Sequence, residues 1–347
     1  MMSQYRIDQI TNQAGTAGPQ VAGITTFSST SGLVMPLGPT EYRGGRGRGL
    51  FGGGYTYPAP TTSFNIIDYV TISTLGNASD FGDLAQQTTN NSIGACASST
   101  RGIWGGGRDE PGQNSNVIQF VTISSTGNSF DFGDLTIARR SAGSCSSSTR
   151  GIWGGGRTPT QLNVIDYVTI ASLGNASTFG NLNRDSITST ASCSSPTRGI
   201  FGGGYGGPAG IINTITFITI STTGDGQYFG DLTANRSNLG SCSNSTRGLF
   251  CGGNPAVPVN IIDYITISST GNAIDFGDLL NSPLGIAGLS SQIRGIFAGG
   301  YVAPTTTNVI QYVTISSTGN AIDFGDLTQS RFMKNAGCSD AHGGLGD

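Results

Sequence analysis

The chain has 347 residues, 56 of them glycine; 36% are hydrophobic, only 11% are charged, and the formal net charge is -3 at pH 7. This acidic balance, with a pI near 5.1, argues against nucleic acid as a partner, since such a partner needs a clustered basic face. No apolar run reaches the roughly eighteen residues of a membrane-spanning helix, so membrane insertion is not expected. A disordered chain would carry more charge and less Ile, Val, Thr, Phe and Tyr.

The first 45 residues stand outside any repeat. Met1–Gly15 lacks the basic-then-apolar layout of a secretory leader. Two Gly/Ser/Thr-rich stretches follow, Gln13–Pro19 and Gly23–Gly32, and neither has the apolar content to bury a core of its own. Residues 1–45 are therefore expected to form an extended N-terminal arm that lies on a partner. Arg43–Gly49 alternates arginine with glycine as RNA-binding tracts do, but a single copy reads as a flexible entry to the repeat region.

From residue 46 the sequence repeats. Arg-Gly, two apolar residues and a glycine cluster recur at Arg48, Arg101, Arg150, Arg198, Arg247 and Arg294, at intervals of 53, 49, 48, 49 and 47 residues. Next comes a block rich in β-branched and aromatic residues, such as Asn116–Ile123, opened by Asn65, Asn116, Asn163, Asn213, Asn260 and Asn308. A Gly-Asn or Gly-Asp pair follows and reads as a tight hairpin with positive φ. Phe-Gly-Asp-Leu or a near copy comes after it, then a small-residue segment such as Ala142–Ser147. Glycine or a turn pair breaks every candidate helix. Four strands in a unit of nearly 50 residues is the metric of a propeller blade.

Within this unit, Ile152-Trp153-Gly154-Gly155, then Tyr167, then Phe179 follow the order of a kelch repeat, and residues 46–342 resemble that family. The chain departs from the family in placing Phe where kelch blades carry Trp on the last strand. The expected fold is all-β: a six-bladed, kelch-like β-propeller of four-stranded blades. Asn335–Asp340 copies the small-residue strand that the first unit lacks. The C-terminal strand should therefore enter the first blade and close the ring.

Five cysteines, Cys96, Cys145, Cys193, Cys242 and Cys338, share one repeat position, and Leu289 holds the sixth place. Leucine replaces neither a metal ligand nor a disulfide partner, so the position reads as buried packing, as does Cys251. Two readings of the six Arg-Gly arginines stay open: a ring at one channel mouth that attracts anions, or pairing with Asp83, Asp134, Asp231, Asp278 and Asp326. Asn128, Asp131 and Asp134 offer either calcium ligands or turn caps. No metal and no cofactor is expected.

His342 is the only histidine. With this one histidine near the C-terminus a Ser-His-Asp triad is not expected, and a multi-histidine metal centre and the copper site of oxidase-type kelch propellers are excluded. Most carboxylates occupy repeated positions, Asp109-Glu110 sits in a Pro-Gly loop, and no catalytic residue is assigned. The blades differ most in the links after each glycine cluster, which strand alternation puts on one face. There Tyr55, Tyr57, Arg108, Asp109, Arg157, Tyr205 and Tyr301 are the candidate binding residues.

The Gly/Ser/Thr-rich leader resembles the N-terminal segments of virion structural and fibre-like proteins of large marine cyanophages. That resemblance implies a non-enzymatic virion structural protein: its arm docks on other virion proteins, and its propeller is exposed on the particle as a decoration or host-contact module for a glycan or protein. The alternative is a cellular kelch-like protein-protein interaction module.

Overall fold

The computed structural model describes residues 47–58, 61–86, 93–109, 112–183, 187–255, 257–334 and 336–346. The expected N-terminal arm and most of the Arg-Gly tract lie outside the described residues. The repeat folds into six four-stranded antiparallel sheets, the blades of a β-propeller. Blade 2 is typical: Gly94–Ala97, Arg101–Gly105, Val117–Thr122 and Phe130–Asp134, in that order from the axis outward. Blade 1 takes its inner strand from the other end of the chain. Gly337–Ser339 pairs with Arg48–Gly52, Cys338 opposite Leu50, so the propeller is clasped as the sequence implied.

The inner strands are joined around the axis by serine hydroxyls. Ser146, Ser194, Ser243 and Ser290 each donate Oγ–H to the backbone carbonyl of the preceding blade, at 2.7–2.8 Å. Ser339 does the same to Ser290. These bonds satisfy polar groups that line a narrow, closely packed channel. Between the hydroxyls, each inner-strand cysteine points into the next blade. A Cβ at Gly151 would lie 2.8 Å from Cys96 Sγ, and one at Gly199 would lie 2.6 Å from Cys145 Sγ. The glycine of Arg-Gly is thus the cavity into which the preceding blade's thiol packs. All six cysteines are free and buried.

The arginines of the same motif do not follow the Arg–Asp reading. Each guanidinium lies over the aromatic ring of its own blade's third strand, at 4.7–5.0 Å from the centroid in all six cases. Each also donates to an isoleucine carbonyl of the next blade, as Arg101 does to Ile170 at 2.8 Å and Arg294 to Ile72 at 3.0 Å. Among the described residues, none forms an ion pair with the Phe-Gly-Asp-Leu aspartates. A cation over a ring contributes about 0.5–2 kcal/mol within each blade, and the repeated bond to the neighbouring isoleucine carbonyl is the tie between blades. The Arg–Asp pairing does not describe it.

The Gly-Asn pair likewise differs from the expected tight hairpin. Residues 72–78 form a seven-residue connection, reversed by a turn in which Thr74 N–H donates to Thr71 O. Gly76 N–H and Ala78 N–H instead bond blade 6, at Phe324 O and Asp326 O. Asn77 Oδ1 accepts from Asp326 N–H at 3.1 Å, and Asn128 and Asn175 repeat this on Asp83 and Asp134. Asn128 is therefore a cap for its neighbour. The glycine of Phe-Gly-Asp-Leu receives that turn: a Cβ at Gly82 would stand 2.5 Å from Gly127 O.

Among the described residues, three ion pairs buried between alternate blades break the six-fold pattern: Arg139–Asp166 at 2.7 Å, Arg236–Asp263, and Arg331–Asp68 at 2.7 Å. Thr136, Thr233 and Thr328 donate to the same carboxylates. In the other blades Gln119, Thr216 and Gln311 replace the aspartate. The unit of repetition at these joints is a pair of blades. Breaking one such buried pair by removing a single partner costs about 3–5 kcal/mol.

Candidate binding face

Two sets of connections emerge on the same face, because the second strand runs toward it and the outer strand also ends there. One set follows the glycine clusters and carries the sequence-derived candidates. The other leads from each outer strand to the next inner strand. Its residues Ser141, Ser189, Asn238 and Gly285 all adopt left-handed backbone, with φ of 59°, 64°, 58° and 70°. Ser189 N–H donates to Ser141 O, Asn238 N–H to Ser189 O, Gly285 N–H to Asn238 O, and Met333 N–H to Gly285 O. The result is a collar of backbone hydrogen bonds around the axis.

Within the collar lies a cavity of about 300 Å³, lined by Tyr55, Tyr57, Arg140, Arg157, Phe332 and Lys334 together with Ser141, Ser189 and Asn238 of the collar. Lys334 reaches across the axis from the link between blades 6 and 1, and its Nζ donates to Ser189 Oγ at 2.6 Å. Arg140 and Arg157 face each other across a short backbone bridge, with N–H···O distances of 3.0 and 2.9 Å. Arg140 is held by Asn114 Oδ1. The buried Nε of Arg157 has no hydrogen-bond partner among the described residues.

No carboxylate among the described residues lines this mouth. Burial, and then Arg140 and Arg157, lower the Lys334 ammonium to about 7. Burial, with Arg157 and Arg108, also lowers Arg140. Tyr55 packs on Phe332 with ring centroids 5.1 Å apart, and Tyr57 meets Tyr301 edge-on at 4.8 Å. Burial and the neighbouring Tyr57 push the Tyr55 phenol up to about 12.

The seven sequence candidates therefore divide. Tyr55, Tyr57 and Arg157 line the cavity, Tyr301 backs Tyr57, and Arg108 adds its field at Arg140. Asp109 Oδ1 accepts from Gln113 N–H within its own loop, and Glu110 lies outside the described residues. Tyr205, exposed in blade 4, does not line the cavity. Sequence reading missed Lys334, Arg140 and Phe332 because it traced only one set of links. The same strand alternation applied to the segment after Phe-Gly-Asp-Leu brings them to this face.

The opposite mouth is closed. His342–Gly346 turns back over the inner strands, with His342 Nε2–H donating to Ala97 O at 2.9 Å and Nδ1 accepting from Gly344 N–H. Gln292 holds this turn through the His342 and Gly346 carbonyls. Burial lowers the imidazole to about 4, so it is neutral here. Among the described residues no group of three or more His, Cys, Asp or Glu is placed to hold a metal ion, and no helix is long and apolar enough to cross a membrane. No family model and no curated protein matches the chain.

Proposed function

We propose that the chain is a non-enzymatic binding component of a bacteriophage particle. Residues 1–45 dock on other virion proteins, and the propeller is carried at the particle surface as a decoration or host-contact module. The observation that carries the binding role is the difference between the two faces. One face repeats near-identical turns and is closed over the axis by His342–Gly346. The other bears links of varied sequence around an open cavity with tyrosine and cationic walls. Variable loops on a rigid scaffold are where recognition resides.

The virion assignment is supported by the likeness of the leader to cyanophage structural proteins. Its kelch-like repeat order is equally at home in a cellular protein-interaction module, which would use the same face. The non-enzymatic reading is supported by the structural use of the chemistry available: His342 and Asp68, Asp166 and Asp263 are committed to holding the fold. Mass spectrometry of purified particles of the encoding phage tests the assignment. Peptides from this chain should be recovered in the particle, in proportion to known structural proteins. Their absence from particles, with the chain present in infected cells, overturns it.

A further inference from the structure

Arg140 and Arg157 oppose each other in a hydrogen-bonded pair, which places their side chains on one side of the local sheet. Like charges so placed repel. A third cation, Lys334, is buried beside them, and no carboxylate among the described residues compensates. Repulsion of this kind is relieved by an anion. The same cavity is walled by Tyr55 and Tyr57 and offers donors from Ser141, Thr188, Ser189 and Asn238. Aromatic faces beside hydroxyl and amide groups suit a pyranose ring: its C–H face packs on a phenol and its hydroxyls bond the rim.

We propose that the axial mouth binds an acidic sugar unit, with its carboxylate among Arg157, Arg140 and Lys334 and its ring against Tyr55 and Tyr57. This inference rests on the recognition role of the loop face and names the ligand class that face takes. The volume of about 300 Å³ falls at the small end of ligand pockets and suits one terminal residue rather than a chain. Arg157, which lines the cavity, is the primary anion anchor. Arg140 is already tied to Asn114 and acts through its charge.

Titration calorimetry with the full chain at about pH 6, below the Lys334 value of about 7, tests this with glucuronic acid, glucose and inorganic phosphate as probes. Glucuronic acid should bind and glucose should not. Arg157→Gln should weaken glucuronic acid at least tenfold while leaving the melting temperature unchanged. Tyr57→Ala should weaken glucuronic acid but not phosphate. Phosphate binding as tightly as glucuronic acid, with no effect of Tyr57→Ala, overturns the sugar assignment in favour of a bare anion site. No glucuronic acid binding overturns the proposal outright. Host-envelope binding that persists without glucuronic acid binding overturns this inference alone and leaves the recognition role of the face standing.

Discussion

Lys334 is a charged group held where charge is costly. Unfolded, a lysine keeps its proton to about 10.5; folded, this one releases it at about 7. Between those values the unfolded chain binds more protons, so stability rises as pH climbs from about 7 toward 10.5. His342 has the same sign at lower pH. Its folded value of about 4 lies below the ordinary 6.5, so the stability it contributes is full above about 6.5 and lost as pH falls toward 4. The buried thiols act in the opposite sense. Burial raises them above 9.0, Cys193 to about 12, and their contribution is full below about 9 and lost as pH rises past it. Urea midpoints measured in reductant should therefore climb between pH 4 and 6.5, climb again between about 7 and 9, and then fall. Lys334→Met should flatten the limb between about 7 and 9, steepen the fall between about 9 and 10.5, and raise stability at neutral pH. An unchanged limb in that variant contradicts the assignment.

At the scale of the strand and its joints, the fold was legible where the reason for a residue lies within its own blade. The apolar runs, the aromatic positions and the copy of the inner strand at Asn335–Asp340 led to the correct topology. What was not legible lies between blades. The Arg-Gly arginines end on isoleucine carbonyls, and a backbone acceptor leaves no mark in a sequence. The Gly-Asn pairs read as hairpins because such pairs usually are, whereas here their side chains cap a neighbouring strand about 40 residues away or more. The alternate ion pairs did leave a trace. Leu-Thr-x-x-Arg occurs at Leu135–Arg139, Leu232–Arg236 and Leu327–Arg331, and Asp68, Asp166 and Asp263 stand in the alternate blades. The binding mouth was half legible: its tyrosines and Arg157 stood out among variable links, while Lys334 needed the closed ring to bring it to the axis.

The clasp is the element whose removal tests this topology. Without residues 335–347, Arg48–Gly52 becomes an exposed inner edge, Leu50 and Phe51 lose their cover, and the indole N–H of Trp104 loses its acceptor at Ala336 O. A chain ending at Lys334 should fail to give a soluble, cooperatively melting monomer by size exclusion and calorimetry. A truncated chain with the melting temperature of the full protein contradicts closure by the C-terminal strand.

For the whole molecule, six blades tied by hydroxyls, thiols, capped turns and buried ion pairs make a ring with one closed and one open mouth. The ties are distributed, so substitutions at the open mouth should change recognition without loosening the ring. Tyr55 is the exception among the tyrosines: it packs on Phe332 and bridges it through the backbone, which makes it a poor choice for a binding test. Tyr57 and Tyr205 are exposed and suit it better. The exposed Leu75 and Leu173 lie in the turns of the opposite face, and a Leu75→Ala/Leu173→Ala chain serves as the control. The deciding measurement is binding of the purified full chain to host envelopes, comparing Tyr57→Ala/Arg157→Gln/Tyr205→Ala with that control and the unaltered protein. The loop-face variant should lose at least tenfold in affinity, about 1.4 kcal/mol, with its melting temperature unchanged and the control unaffected. A loop-face variant that binds like the unaltered protein, or a control that loses more, contradicts the claim that this face recognises the partner.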